Sequence, residues 1–371
     1  MSEKYPVVVY GASGYTGRLV MEHLRELGVG FVAAGRSRAR IEEALKLVPG
    51  IENARYEIAE VENTVEALAA LFEGRKVVCN TVGPFFRFGR PVVEAAHKAG
   101  LHYVDTTGEQ HWVALLMREY GADFAKAGLA LMPSTSCMYG LSEMAAQYSL
   151  ETPGIDTIDI TEVAVAVPTV ASAQTILDAV RHPAYYLEHG ELVRYPGIEN
   201  CQITTPSGRV LMASNWGGTS NPIWFSRDGR VRNCKMSVAM TNQELWKKEL
   251  GLERAYKVSL QWVPEEQLYP MLDQMAKDIT PTTPPRESRF VHRAVDTIVG
   301  SGNKVMNRVT LLSTGGYYTT GLLQAYAAMR LSRETPRLVG FRSPSEVLGH
   351  REIMGALESF GYAGIKVEQL V

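Results

Sequence analysis

The first 135 residues alternate between short apolar runs and segments with helical spacing, and this pattern constrains the fold more than any other feature. The run "YPVVVYG" at 5–11 is continuously apolar and ends in glycine, as in a strand buried on both faces. A helical segment follows, with Val20 and Leu24 on one face and Gly28 as its stop. Five more strand-like runs repeat this order. Strands that alternate with helices predict an α/β fold with a doubly wound parallel sheet, a Rossmann domain.

The pattern changes near residue 155, which indicates a second domain of the α+β class. A long strand and a helix are followed by strand pairs around the turns Ser207-Gly208 and Asp228-Gly229. The segments 255–263 and 295–313 predict further strands in a mixed or antiparallel sheet. Helical spacing returns near residue 319. We therefore expect the helices of 320–371 to pack back on the first domain, 1–136, and we predict that 137–319 form a separate domain for substrate binding and dimerisation.

A glycine-rich loop, "GASGYTG", lies directly between the first strand and the first helix. Glycines at this place permit a tight turn and let the backbone approach a pyrophosphate, which the N–H groups of the helix N-terminus then bind. The sequence therefore predicts a dinucleotide site. The residues expected to contact the cofactor here are Gly11, Ser13, Gly14, Tyr15, Thr16 and Gly17.

The second strand is followed by "RSRAR", where NAD-selective proteins carry an acidic residue for the ribose 2′-hydroxyl. An arginine instead pairs with a 2′-phosphate and stacks on the adenine. Arg36 is the expected partner, with Ser37 as a hydroxyl donor and Arg38 or Arg40 as a second charge. The alternative is a solvated helix start, although arginines at a helix N-terminus oppose its dipole. The cofactor predicted by this segment is NADP(H).

Two sets of residues follow the fourth strand, where a ligand of a doubly wound sheet lies. Thr81, Val82, Gly83 and Pro84 are expected at the nicotinamide ribose, with Gly83 allowing close approach of the backbone. Three phenylalanines come next, and they form either an apolar wall for the substrate or the core beneath a loop. The residues predicted to bind substrate here are Phe85 and Phe86, beside Phe88.

Candidate proton donors follow the fifth and sixth strands. Glu109 and His111 are expected to relay a proton, unless Glu109 is used together with Thr107 to cap a helix. Tyr139 is expected to donate a proton to the substrate, the alternative being that it packs at the domain junction. Its neighbours Cys137 and Met138 are predicted to contact the substrate.

Composition excludes several other classes of function. A net charge of −2 over 371 residues provides no basic field for nucleic acid. The four cysteines lack metal or disulfide spacing, so we expect no metal site and a reducing compartment. No apolar run approaches the roughly 18 residues of a membrane span, and a strand begins almost at the N-terminus. We expect a cytoplasmic protein, a homodimer through its middle domain, that acts on a small molecule.

The loop "GASGYTG", the stretch at 77–109 and the segment "GFRSPSEVLG" near the C-terminus resemble saccharopine dehydrogenase-like oxidoreductases, in particular the trans-acting enoyl reductase branch. The resemblance is strong over residues 5–150 and returns near 165–180 and 315–365. The resemblance implies a discontinuous Rossmann domain, over 1–136 and 320–371, that is completed by C-terminal helices and has a mixed-sheet insert in the middle. It also implies NADP(H)-linked reduction of a C=N or an activated C=C bond. Where relatives often carry G-F-D-S-x-P, this chain has "STSCMYGLSE".

The function predicted is an NADPH-dependent reductase that transfers hydride to an activated, enoyl-type C=C bond of a moderately apolar molecule. The apolar character is inferred from the phenylalanines and from four tryptophans of the middle domain, the alternative being that the tryptophans are ordinary core: Trp216, Trp224, Trp246 and Trp262. One alternative is reduction of a saccharopine-type imine, with Arg87 and Arg90 as candidate partners either for its carboxylates or for the cofactor phosphates. The other is a non-catalytic NADP(H)-binding sensor or scaffold, because fold alone does not fix function.

Overall fold

The computed structural model describes residues 4–164, 167–179, 181–197, 199–215, 218–260 and 262–371. The chain divides into two compact units, each assembled from separate stretches of sequence. The first unit contains Met1–Thr107, Trp112–Gly140 and Tyr317–Tyr362. The second unit contains Gly108–His111, Leu141–Gly316 and Ala363–Val371.

Strands and helices are numbered in chain order. The strands are β1 (Val7–Tyr10), β2 (Phe31–Gly35), β3 (Tyr56–Glu60), β4 (Val77–Asn80), β5 (His102–Asp105), β6 (Ala130–Met132), β7 (Ile155–Ala164), β8 (Tyr185–Glu188), β9 (Glu191–Arg194), β10 (Asn200–Thr204), β11 (Val210–Ser214), β12 (Asn233–Met240), β13 (Arg293–Gly302), β14 (Val305–Thr314), β15 (Gly340–Phe341) and β16 (Ala363–Gln369). The helices are α1 (Tyr15–Glu26), α2 (Arg38–Leu45), α3 (Val65–Phe72), α4 (Phe85–Phe88), α5 (Arg90–Ala99), α6 (Gln110–Glu119), α7 (Gly121–Lys126), α8 (Ser142–Leu150), α9 (Val170–Ala179), α10 (Ser220–Phe225), α11 (Gln243–Ala255), α12 (Glu265–Ile279), α13 (Gly316–Arg333), α14 (Pro344–Leu348) and α15 (His350–Ser359).

The first unit is built on a parallel sheet with the strand order β15-β6-β5-β4-β1-β2-β3. Strands β1, β2 and β4 are buried along their whole length, which explains their continuous apolar sequences. The order reverses at β1, so the chain winds outward in both directions from this strand. The prediction of a doubly wound parallel sheet is confirmed.

The C-terminal stretch completes this unit through α13. The side-chain amide of Gln324 donates to the backbone oxygens of Asp105 and Thr135, at 2.8 and 2.7 Å. These bonds attach α13 to the segments that follow β5 and β6. The short strand β15 extends the sheet beyond β6. The first unit is therefore a discontinuous Rossmann domain.

The second unit contains a mixed sheet with the order β10-β11-β12-β7-β13-β14-β16, joined at β12 by the hairpin β8–β9. Strands β7 and β12 run parallel, and the other neighbours in this sheet are antiparallel. Helix α8 packs on β7, β13 and β14. Helices α9 and α12 form a small core of their own around Leu177 and Leu272. This unit has the predicted α+β class.

Two details of the predicted secondary structure and one domain assignment differ in the structure. The predicted strand pair around Asp228-Gly229 is the helix α10 followed by the strand β12. The predicted strand at 255–263 instead continues α11 as a π-helical turn, Tyr256–Leu260. The C-terminal residues 363–369, which we assigned to the Rossmann domain, form the edge strand β16 of the second sheet.

Candidate active site

The glycine-rich loop has a separate steric requirement at each of its three glycines. Gly11 has φ of +92°, and a Cβ atom there would lie 2.6 Å from the Thr81 hydroxyl oxygen. A Cβ atom on Gly17 would lie 2.3 Å from the backbone oxygen of Gly11, so Gly17 lets α1 start against β1. Gly14 is exposed, and its Cβ position meets only the Gly11 oxygen, at 3.2 Å. The loop is therefore tightly packed at Gly11 and Gly17 and exposed at Gly14.

The N-terminus of α1 is suited to an anion. No side chain caps the helix at Gly14, and its first turn contains no acidic residue. Uncapped N–H groups at a helix N-terminus carry a partial positive charge and bind phosphate oxygens. Gly14 is exposed, whereas Ser13, Tyr15 and Thr16 are half-buried. This part of the predicted cofactor site fits a dinucleotide pyrophosphate.

Arg36 follows the last residue of β2 and is exposed. It forms no hydrogen bond or ion pair with the part of the chain that the structure describes. Burial raises the pKa of the Tyr10 phenol, and the neighbouring charge of Arg36 opposes that rise. Arg36 therefore lies near the carboxyl end of β1 with its guanidinium available, as a partner of a 2′-phosphate must be.

The guanidinium of Arg38 is used differently from what we expected. Its Nε donates to Glu42 at 3.0 Å, and its Nη1 donates to the backbone oxygen of Ile58 at 3.3 Å. The Ser37 hydroxyl accepts from the Arg40 nitrogen at 3.4 Å and caps α2. The carboxylate of Glu60 is the anion that lies at this helix N-terminus. The guanidinium of Arg38 is thus engaged with the protein, whereas that of Arg36 is available.

The segment after β4 is fixed to the glycine loop. The Thr81 hydroxyl donates to the backbone oxygens of Tyr10 and Gly11, at 3.0 and 3.3 Å. The Val82 nitrogen donates to the Asn80 side chain at 3.1 Å. Gly83 is half-buried, and its bond to the buried Pro84 is cis. The structure thus brings Thr81 and Val82 against Gly11, as expected of two parts of one cofactor site.

The three phenylalanines of α4 have different environments. Phe85 is buried beside Gly89. A Cβ atom on Gly89 would lie 2.6 Å from the Trp112 ring, so only glycine leaves room for that ring. Phe86 is half-buried, and Phe88 is 39% exposed. Phe85 therefore belongs to the core of the first unit, and Phe86 is the one of our two candidates with surface to offer a substrate.

Asp105, at the end of β5, organises the neighbouring loops. Its buried carboxylate accepts hydrogen bonds from the backbone nitrogens of Thr107 and Ser134 at 3.0 and 2.9 Å. It also accepts from the Tyr103 hydroxyl and the Trp112 ring, at 2.9 and 3.0 Å. Burial raises the pKa of Asp105 to about 6, despite these four bonds. Asp105 therefore has a structural role, because it joins the segments that follow β5 and β6.

Tyr139 lies in an irregular turn that follows β6. Its φ is +71°, a left-handed conformation that is rare for residues other than glycine, and its side chain is buried. Cys137 is buried too, and its nitrogen donates to the Thr320 hydroxyl at 2.9 Å. Met138 is half-buried. Strained backbone of this kind persists only where its surroundings enforce it, and it concentrates at functional sites.

The segment 108–111 belongs to the second unit because of Gln110. The side chain of Gln110 donates to the backbone oxygens of Tyr185 and Thr219, at 2.9 and 2.7 Å, and accepts from the Tyr185 nitrogen at 2.7 Å. Gly218 makes room for it, since a Cβ atom there would lie 2.3 Å from the amide oxygen. These bonds hold Glu109 and His111 in the second unit.

Glu109 and His111 lie together in a buried cluster. The Glu109 carboxylate accepts from the Thr175 hydroxyl at 3.2 Å, and its other oxygen lies 3.6 Å from the His111 ring. The His111 ring stacks on that of His182, with centroids 3.6 Å apart and planes inclined by 13°. Glu109 is therefore engaged with side chains of the second unit.

Both histidines of this cluster are neutral near neutral pH. Burial is the largest cause that lowers the pKa of His111 well below its usual value, and the neighbouring charges of His182 and Arg181 lower it further. Burial also lowers the pKa of His182, although the charge of Asp178 opposes the shift. A neutral imidazole has one N–H donor and one acceptor nitrogen, so it can pass a proton but cannot serve as a ready cationic acid.

Several residues of these sites were not predicted from the sequence. Gln110, Thr175 and His182 lack a local motif, and only the fold brings them to Glu109 and His111. Of the tryptophans taken as signs of an apolar site, Trp224 and Trp246 are buried and Trp262 is 82% exposed. Trp216 lies outside the described residues.

Comparison with known families gives the classification of the chain. Residues 140–368 match a family described as of unknown function, DUF5938. The chain belongs to this family. Residues 7–132 match the saccharopine dehydrogenase NADP binding domain, which contains the glycine loop, Arg36 and the segment after β4. The prediction of NADP(H) as cofactor and the resemblance to the saccharopine dehydrogenase-like family are thereby confirmed.

Two curated relatives match part of the same domain. A lipid droplet localized protein of Caenorhabditis elegans is 33% identical over 135 residues, covering 34% of this chain and 32% of the relative. A trans-acting enoyl reductase of Mycobacterium tuberculosis is 39% identical over 112 residues, covering 29% of this chain and 26% of that protein. The matches thus span about a third or less of the relatives' own length.

One solved structure shares the fold over nearly the whole chain. The apo saccharopine dehydrogenase (L-Glu forming) of Saccharomyces cerevisiae superposes with a TM-score of 0.62, covering 97% of this chain and 99% of that enzyme. The two sequences are 14% identical, so the similarity concerns the fold. Among the helices that the structure describes, none has both the length and the apolar composition needed to cross a membrane.

Proposed function

We propose that this protein is an NADPH-dependent reductase that transfers hydride to an activated, enoyl-type C=C bond of a moderately apolar small molecule. The observation that carries the proposal is the match of the NADP binding domain to the trans-acting enoyl reductases at 39% identity. The available guanidinium of Arg36 supports selection of the phosphorylated cofactor. The half-buried Phe86 supports an apolar substrate.

The residues of the first unit would hold the cofactor, which supplies the hydride when bound. The N-terminus of α1, from Gly14 to Gly17, binds the pyrophosphate, and Arg36 binds the 2′-phosphate with the Ser37 hydroxyl beside it. Thr81, Val82, Gly83 and Pro84 form the support for the nicotinamide ribose. These residues bind and orient; they take no covalent part in the reaction.

Reduction of a C=C bond also needs a proton, and the chain offers two sources. Tyr139 carries a phenol O–H and is held in a strained conformation, so it is our proposed donor to the substrate carbon. The neutral His111, beside Glu109, relays protons without becoming a stable cation. Cys137 and Met138 neighbour Tyr139 in sequence and would contact the substrate.

A turnover assay with several acceptors tests this proposal. The protein is incubated with NADPH and, separately, with 2-enoyl thioesters, simple enones, and an amine with a 2-oxo acid, while absorbance of the reduced cofactor is followed. We expect consumption with the enoyl and enone compounds. Consumption with the amine and oxo acid alone would indicate a C=N reductase instead. Tight NADPH binding with no consumption in any mixture would indicate a non-catalytic sensor or scaffold.

A further inference from the structure

Two acidic residues of the second unit meet in the interior of its sheet. Glu162 on β7 and Asp296 on β13 are direct register partners in an antiparallel pair. Such partners project from the same face of the sheet, with Cβ atoms about 4.5–5.5 Å apart. Each residue is 1% exposed. Two carboxyl groups are therefore enclosed side by side, although nothing in the sequence connects them.

Among the residues that the structure describes, no N–H or O–H group donates a hydrogen bond to any of the four carboxylate oxygens of this pair. The buried Asp105 of the first unit, by contrast, accepts four hydrogen bonds. Buried carboxylates without donors are strongly unfavourable, so native structures that contain them have an ion, a water molecule or a proton there.

The described surroundings of the pair supply no compensating positive charge. The register neighbours on the same face are apolar: Val238 lies opposite Glu162, and Ile160 and Ile298 come next along the strands. No lysine or arginine of the described residues forms an ion pair with either acid. Glu143, on the packed helix α8, adds another buried acid and accepts from Gln147 at 2.9 Å. The environment thus favours binding of a cation from solution.

We propose that Glu162 and Asp296 bind a divalent cation. A single doubly charged ion balances two carboxylates, whereas a monovalent ion would leave one buried charge. Ligands that are oxygen atoms alone select hard cations such as Mg²⁺, Ca²⁺ or Mn²⁺. No group of three or more histidine, cysteine or acidic side chains with metal-binding geometry occurs among the described residues. With two protein side chains as ligands, water completes the coordination, and affinity is in the weak range, roughly 10⁻⁴–10⁻³ M.

Protons compete with the cation for the same oxygens. Burial raises the pKa of Asp296 to about 8, and burial together with the charge of Asp296 raises the pKa of Glu162 well above its usual value. Without a cation the pair therefore retains protons at neutral pH. A bound cation must displace them, so the site binds more tightly at higher pH.

The experiment compares wild-type protein with a neutral, isosteric variant, Glu162→Gln with Asp296→Asn. Both proteins are treated with a chelator, and Mn²⁺, Mg²⁺ or Ca²⁺ is added at pH 6 and pH 8 with ionic strength held constant by KCl. We expect the wild-type Tm to rise by roughly 3–6 °C at pH 8 and less at pH 6. The free Mn²⁺ signal in electron paramagnetic resonance should fall with about one ion bound for each chain.

The double variant should fold, because it replaces two carboxyl groups with uncharged amides of nearly the same shape, and it should show neither effect. Asp159→Asn provides a matched control, since Asp159 lies on β7 but on the opposite face of the sheet. This control should retain the wild-type response. Equal cation effects on wild type and double variant, or no Mn²⁺ binding to wild type at pH 8, would overturn the proposal and leave the pair as a proton-holding site.

Discussion

The carboxylate of Glu60 lies 2.6 Å from the backbone nitrogen of Arg38, at the N-terminus of α2. An acidic residue thus lies at a helix N-terminus where the neighbouring arginines oppose the helix dipole. The side chain of Arg38 also binds Glu42, so Arg38 has a structural position. The other arginines of this segment remain available for a ligand. This division makes the role of Arg36 testable against a close neighbour.

Arg36→Asp should weaken NADPH binding by about 2–3 kcal/mol, because a charged partner of the 2′-phosphate is lost and an acid introduced. Arg38→Ala is the matched control. Its guanidinium already binds Glu42 and the Ile58 oxygen, so the loss should stay below about 1 kcal/mol. Fluorescence titration measures both. Equal losses in the two variants would contradict the special role of Arg36.

Gly17→Ala should destabilise the first unit by about 2–4 kcal/mol and reduce NADPH binding. Its new methyl group would lie 2.3 Å from the backbone oxygen of Gly11, and neither backbone segment can move freely. Gly355→Ala serves as the control, because Gly355 lies in α15 with nothing within 4 Å of its Cβ position. That change should be neutral or stabilise by up to about 1 kcal/mol. Urea denaturation monitored by circular dichroism compares them.

Tyr139→Phe should reduce kcat by about 10²–10⁴-fold and leave NADPH affinity unchanged, since it removes a proton donor from otherwise intact packing. The readout is single-turnover oxidation of NADPH with whichever acceptor the turnover assay identifies. A normal kcat in this variant would show that the buried tyrosine has only a packing role. Glu109 and His111 would then be the favoured source of the proton.

Stability of the chelator-treated protein should fall as pH rises from about 5 to about 8. The folded state holds protons on Asp296 and Glu162 that the unfolded chain releases near pH 4, so raising the pH favours unfolding. The loss should be at least about 3 kcal/mol by urea denaturation. The variant Glu162→Gln with Asp296→Asn should be less sensitive to pH in this range. A wild-type profile as flat as that of the variant would show that the pair is already ionised.

The first unit could be predicted from sequence because its signals are local. A buried parallel strand is continuously apolar, and the glycine loop is contiguous between β1 and α1. The second unit was harder to predict. The segment 255–263 alternates like a strand, but it continues α11, which begins at Gln243. Periodicity over a few residues does not outweigh the helix that precedes it.

The candidate site was predictable only where one stretch of sequence forms it. Arg36 and the glycine loop were identified because each occupies a fixed place relative to a strand. Glu109 contacts Thr175, and His111 stacks on His182, both distant in sequence. Asp105 accepts hydrogen bonds from donors in three different segments. Such contacts depend on tertiary packing. The role of Glu60 at α2 was missed for the same reason.

Calorimetric titration of the wild-type protein with NADPH and with NADH, in the same buffer, tests the central claim most directly. If Arg36 selects the phosphorylated dinucleotide, NADPH should bind at least about 30-fold more tightly than NADH, corresponding to roughly 2 kcal/mol. Equal affinity for the two cofactors, or measurable binding of neither, would contradict the account.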